Sequence, residues 1–247
     1  MFDTILHHRS IRKYKEKIID KSLIDSILTA ASRASTTGNM QVYSIVVTTD
    51  RELKEKLWEA HFRQNMVLQA PVIMTFCADF NRFNKWCRQR KAEPGYDNFL
   101  SFLTAATDAL LSAQNAALAA EDQGLGICYL GTTLYNADKI IEILDLPSGV
   151  IPFTTLVVGY PDESPELTDR LPLKGIVHYE KYNDFKPEDI DEMYAEKDSS
   201  ELTLKLLKEN NLETLAQVFT EKRYTKKDNE AISRKLLEVI RKQGFAI

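Results

Sequence analysis

The chain is poor in the residues that build covalent or metal scaffolds. It has three cysteines, Cys77, Cys87 and Cys128, and four histidines in 247 residues. No two cysteines form a CxxC pair, the odd count fits a reducing compartment, and the histidines have no metal-site spacing. No apolar run reaches about 18 residues and the N-terminus is polar, so neither a membrane span nor a signal peptide is expected. No GxGxxG follows a strand-like run, which argues against a Rossmann dinucleotide site. Positive charge is not in excess either. With 36 acidic against 32 basic residues the net charge is −4, which argues against general nucleic-acid or anionic-membrane binding. Internal repeats and low-complexity tracts are missing. A cytoplasmic protein is the expectation.

What is present reads as an ordinary globular chain, 44% apolar and 28% charged, long enough to bury a sizeable core. Near the start lies His7-His8-Arg9-Ser10-Ile11-Arg12-Lys13-Tyr14. In an extended segment Ser10 and Arg12 point one way, Arg9 and Ile11 the other. Two arginines flanking a serine make a forked donor set suited to a phosphate, since Arg gives planar bidentate contacts that Lys cannot. The same residues also fit a solvated basic face. The rest of the chain is not basic, so a small anionic ligand is favoured.

Ser22 and Asp25 predict a capping box for a helix running to about Ala34. The polar run Ser35-Thr36-Thr37-Gly38-Asn39-Met40-Gln41 follows, either turn chemistry or a ligand cradle. A strand is expected over 42–48. A second capping box, Thr49 to Glu52, predicts a helix through Trp58, with Gln64 just beyond. Residues 72–78 read as a buried strand, and 80–91 as a helix with Phe83 and Trp86 on one face. The longest helix is expected over 97–123. Its alanines permit close approach, either at a subunit interface or in a monomer core. Gly124-Leu125-Gly126 ends it, and an apolar strand runs into Gly131, whose amide could approach a flat ligand. A helix over 138–144, a strand over 153–159 and a loop bearing Arg170 follow. Beyond Pro172 the chain becomes highly charged, and a last amphipathic helix over 229–243 stops at Gly244.

Taken together these pieces resemble the flavin-dependent nitroreductase family. The likeness is carried by His8-Arg9-Ser10-Ile11-Arg12, the run Ser35 to Gln41, Gln64, Cys77-Ala78-Asp79-Phe80-Asn81-Arg82, Ala119-Ala120-Glu121, Gly124-Leu125-Gly126, Tyr129-Leu130-Gly131, Arg170-Leu171-Pro172 and Lys242-Gln243-Gly244-Phe245. It is strongest toward the major oxygen-insensitive NADPH nitroreductase and flavin reductase P group. The resemblance implies an α+β fold, a mixed and mainly antiparallel sheet flanked by helices, in an intertwined homodimer with FMN at the subunit interface. It implies an FMN-binding core over 1–183 and a C-terminal helical arm over 184–247 of the same domain. His8, Arg9 and Ser10 would hold the phosphate and ribityl end, with Arg170 closing on the phosphate. Arg12 would lie at the N1–C2=O edge of the ring. Thr36, Thr37, Gly38 and Asn39 would line the ring and ribityl chain, and Gln64 would bond a ring carbonyl. Tyr129, Leu130 and Gly131 would cover one face.

Two departures stand out. Close relatives have Lys two residues before the phosphate arginine, where this chain has Thr168. The basic loop that would read an NADPH 2′-phosphate is reduced to Lys222, Arg223, Lys226 and Lys227, so the choice between NADPH and NADH is open. Hydride chemistry on a flavin needs no protein nucleophile, and the resemblance gives Arg12 the electrostatic role. The expected activity is NAD(P)H-dependent, two-electron, ping-pong reduction of a small-molecule acceptor: a nitroaromatic, a quinone or free flavin. A non-catalytic flavin-binding or redox-sensing dimer and a colourless anion-binding protein are the alternatives.

Overall fold

The structure, a computed structural model, describes residues 2–247. In chain order the elements are α1 (Phe2–Leu6), α2 (Lys21–Ala31), β1 (Tyr43–Thr48), α3 (Arg51–Ala60), α4 (Asn65–Gln69), β2 (Val72–Asp79), α5 (Asn81–Gln89), α6 (Phe99–Asp122), β3 (Gly126–Leu130), α7 (Ala137–Ile143) and β4 (Val150–Gly159). Then come α8 (Pro187–Ser199), α9 (Glu201–Asn210), α10 (Leu215–Gln217) and α11 (Lys226–Lys242). The chain divides into two compact units, one running to Glu166 and resuming at Arg234–Ile247, the other spanning Leu167–Ser233.

The first unit is α+β, as expected. Its four strands are ordered β1-β2-β4-β3 and pair antiparallel throughout, with Tyr43 opposite Ala78, Val72 opposite Val158 and Gly126 opposite Gly159. Strand β2 is buried at all eight positions because helices cover both of its faces. On one face α6 lays Ala109, Ala113, Ala116 and Ala120 against Met74, Phe76, Leu156 and Val158. On the other, Leu57 of α3, Val67 of α4 and Ile140 of α7 meet Ile73, Leu130 and Val157. Phe80, Phe102, Ile240 and Phe245 close one end.

Both capping boxes are corrected. Helix α2 starts two residues earlier than Ser22 allows, with Asp20 extended at the N-cap and making no side-chain cap bond, and it stops at Ala31 rather than Ala34. Helix α3 is capped by Asp50, whose carboxylate accepts from the Leu53 N–H, so Asp50 rather than Thr49 satisfies the free amide. The short α4 is an addition to the expected elements. The last helix stops at Gly244, whose φ of 93° only glycine adopts freely.

Within the second unit, Thr203 and Ser200 join the end of α8 to the start of α9 through hydroxyl bonds to the Lys197 carbonyl. Among the described residues no helix is long and apolar enough to cross a membrane.

Candidate functional site

Strand β3 is a sheet edge, and the basic N-terminal segment covers it. Ser10 bridges Ile127 in parallel, the Ile11 N–H donates to the Ile127 carbonyl at 2.8 Å, and Tyr14 bridges Pro161. Two facing glycines make this approach possible. A Cβ on Gly126 would lie 2.7 Å from Ile11 Cγ1, and one on Gly159 would lie 2.7 Å from Tyr14 Cδ1. The Tyr14 hydroxyl donates to the Ile11 carbonyl at 2.6 Å, and burial raises its pKa far above the ordinary value.

The alternation is as expected: Ile11 is buried and Arg12 exposed. Glu163 accepts from the Arg12 and Lys13 amides at 2.5 and 3.1 Å, and His8 Nδ1 bonds Glu121 Oε1 at 2.7 Å. Arg9 lines a hollow walled also by Glu121 and Glu163, two carboxylates already engaged elsewhere. Its Nε is buried without a hydrogen-bond partner. The Arg12 guanidinium makes one long bond, 3.4 Å to the Ser10 carbonyl. The segment therefore carries cationic donors that the protein leaves unsatisfied, as an anion site requires.

Continuing along β3, Tyr129 donates to Gln114 at 3.3 Å, and burial first and Glu121 second raise its pKa. Leu130 is buried, and Gly131 lies beyond with nothing within 4 Å of a would-be Cβ. Thr132 next to it receives Gln64 Nε2 at 3.3 Å and sits 2.8 Å from His61 Nδ1. His61 is fully buried, and burial lowers its pKa from 6.5 to about 4. The structure thus gathers His8, Arg9, Ser10 and Arg12 along one side of β3, and Tyr129, Leu130, Gly131 and Gln64 at its end.

Thr36, Thr37, Gly38 and Asn39 lie elsewhere. They lead into β1, the opposite edge of the sheet. Buried Asp108 on α6 pins them, accepting from the Thr37 N–H at 3.0 Å, the Thr37 hydroxyl at 3.4 Å and the Val42 N–H at 3.3 Å. Arg82, held at its amide by Asp79, grips the Gln41 and Tyr43 carbonyls. Left-handed backbone at Gly38, Asn39 and Gln41 gives the loop its shape. Asp108 and Glu121 are on the same helix, and at a 1.5 Å rise per residue their anchors stand about 20 Å apart. One chain does not bring the two sets of expected ligands together.

Arg170 belongs to the second unit. Its Nη1 donates to the Thr168 hydroxyl at 2.7 Å and to the Asp169 carbonyl at 2.9 Å, so Thr168 orients the arginine where the resemblance expects a second charge. Asp169 pairs with Lys197 at 2.8 Å. Lys222 and Arg223 end a wide helical turn over Val218–Arg223, Lys226 and Lys227 open α11, and Arg223 lies over the Phe219 ring.

Sequence reasoning gave no role to His61, Asp108, Glu121 or Glu163. Asp108 was detectable in principle, as a lone carboxylate on the alanine stripe of a long helix. His61 had a weaker signal, its place four residues after Leu57 on the apolar side of α3.

The Nitroreductase family profile matches residues 5–160. An FMN reductase (NADPH) of Bacillus subtilis is 35% identical over 183 residues, 73% of this chain and 74% of that protein. An oxygen-insensitive NADPH nitroreductase of Salmonella typhimurium is 37% identical over 175 residues, 71% of each chain. A crystal structure from Bacteroides fragilis, assigned provisionally as an oxidoreductase, superimposes with a TM-score of 0.98 at 55% identity, covering 99% of this chain and 100% of that one.

Proposed function

Because the chain belongs to the nitroreductase family, we propose that it is an NAD(P)H-dependent FMN oxidoreductase. It reduces a nitroaromatic, a quinone or free flavin two electrons at a time, donor and acceptor using one open face in turn. The observation that carries this reading is the basic segment fixed along β3, with the buried Arg9 Nε lacking any protein partner. A buried cationic donor without an acceptor is costly, and a phosphate supplies the acceptor.

The residues present fit the cofactor. His8, Arg9 and Ser10 hold the phosphate and ribityl end, and Arg170 is the further cation that the family resemblance assigns to the phosphate. Tyr129, Leu130 and Gly131 cover the ring on one face, where the missing Cβ of Gly131 leaves room for a flat group. Gln64 lies at the ring's polar edge. Bound there, FMN would supply the hydride-accepting, two-electron chemistry, which asks no nucleophile of the protein. Arg12 stabilises negative charge at the N1–C2=O edge. Its backbone is fixed by Glu163, and its guanidinium makes only one long bond, so its donors are free to engage that edge.

The separation of the two ligand sets supports a homodimer in which the Thr36–Asn39 loop of one copy completes the site begun by Ser10 and Gly131 of the other. Leu100, Leu103, Leu110 and Leu111 stand exposed on α6 at helical spacing, an apolar stripe suited to a second copy. Lys222, Arg223, Lys226 and Lys227 are the cations offered to an NADPH 2′-phosphate. Sedimentation and a visible spectrum test the reading together. A yellow dimer that bleaches on anaerobic addition of NADPH is expected. A yellow dimer unmoved by NADPH and NADH would be a binding protein only, and a colourless monomer that takes up no added FMN would refute both claims.

A further inference from the structure

Phe62 and Arg63 stand one after the other in the left-handed region, with φ of 55° and 57°. Non-glycine residues avoid it, and such conformations persist where the surroundings over-determine them. This turn has buried His61 at one end and Gln64 at the other. It folds Gln64 back, so that Nε2 lies 3.0 Å from the His61 carbonyl oxygen and 3.3 Å from Thr132 Oγ1. A backbone carbonyl only accepts, so the group facing it is the amide nitrogen. Both amide hydrogens therefore point inward, and Oε1 is the polar atom Gln64 has left to offer.

Thr132 is held in turn by His61. The imidazole places Nδ1 2.8 Å from Thr132 Oγ1, while Nε2 is buried with no partner. A proton on Nε2 would be an unpaired buried donor, so the neutral ring carries its proton on Nδ1 and donates to Thr132. Thr132 Oγ1 then accepts twice, from His61 and from Gln64.

We propose that His61 is a positioning residue which, through Thr132, locks the Gln64 amide with its carbonyl oxygen toward the flavin, where it accepts from the imide N–H of the pyrimidine edge. This rests on the FMN reading and reverses the sense the family resemblance suggests, in which Gln64 meets a ring carbonyl. The site thereby recognises the ring through its one N–H donor, and a ring without that donor leaves Oε1 unpaired.

The test uses full-length protein loaded with FMN labelled with 15N at N3, with FMN affinity titrated alongside. In the wild type the N3–H resonance is expected to exchange with water about tenfold or more slowly than in free FMN, as for a buried hydrogen bond. Thr132→Val, which keeps shape and removes the hydroxyl, and His61→Leu should both lose that protection while still binding FMN. His61→Asn, whose amide N–H can replace Nδ1–H, should restore it. Histidine 15N shifts in the apoprotein should show Nδ1 protonated. An unprotected N3–H in FMN-loaded wild type, protection unchanged in Thr132→Val, or a proton on Nε2 would each overturn the proposal. If His61→Leu does not fold, Thr132→Val decides alone. Wild-type protein that binds no FMN would instead refute the functional reading, and the titration shows this first.

Discussion

Acid should weaken this fold through one histidine. His61 is buried beside Leu57 and Ala60, and its protonated ring would lose water without gaining a carboxylate partner, so burial lowers its pKa from 6.5 to about 4. The unfolded chain keeps the ordinary value and binds the proton more readily. Stability is therefore fully present above about pH 6.5, declines as the pH falls toward 4 and levels off below. A gap of about 2.5 pH units at 1.36 kcal/mol per unit amounts to about 3 kcal/mol. That is a large share of a typical 5–15 kcal/mol of folding free energy. Urea unfolding of apoprotein at fixed chain concentration, wild type against His61→Asn, measures it across about pH 7.5 to 4. Carboxylates titrate in both proteins, so the difference between the two profiles isolates the imidazole. Wild type should lose about 3 kcal/mol more than His61→Asn over that window. Parallel profiles would show that the ring is not buried as a neutral base.

Gly126→Ala should push the Ile11 segment off β3, since the new methyl would sit 2.7 Å from Ile11 Cγ1. A loss of about 1–3 kcal/mol in urea unfolding is expected, together with weaker FMN binding, and an unchanged FMN affinity would show that the segment does not carry the phosphate site. Arg170→Ala should remove a charge-assisted phosphate contact worth roughly 1.5–3 kcal/mol of FMN affinity, with turnover at saturating FMN changed less. Retention of FMN through extensive dialysis would contradict it. Arg12→Gln should lower the flavin's potential and slow reduction by NAD(P)H by about 2–4 kcal/mol of barrier, with reoxidation by a quinone slowed less. Stopped-flow traces of the two half-reactions decide, and equal losses in both would leave Arg12 only a placement role.

Strands β1, β2 and β4 and helix α6 could be read directly, because each is a long apolar run whose period or continuity matches its burial. The N-terminal boundaries could not. Asp20 and Ser22, or Asp50 and Thr49, are near-equivalent caps by residue type; at α3 the carboxylate that reaches the Leu53 amide decides, while α2 begins after Asp20 with no side-chain cap bond at all. Helix α4, five residues long, is too short for any period to register. The candidate ligands were found through the family resemblance rather than through local pattern. Asp108 and His61 stand out by type and place, but their partners could not be read, because Asp108 lies 71 positions from Thr37 and His61 lies 71 positions from Thr132. Contacts at that range leave no local periodicity to read.

Helix α6 behaves as a measuring rod. With Asp108 anchoring the Thr37 loop and Glu121 the His8 segment, its length sets the distance between these two segments, which the proposed dimer would use in different sites. One residue inserted between them would turn Glu121 by about 100° away from His8, and removing seven would keep the faces but bring the anchors about 10 Å closer. Insertions and deletions between 108 and 121 should therefore be absent among natural sequences that keep both anchors, while the surface loop around Pro94 and Gly95 is free to vary in length.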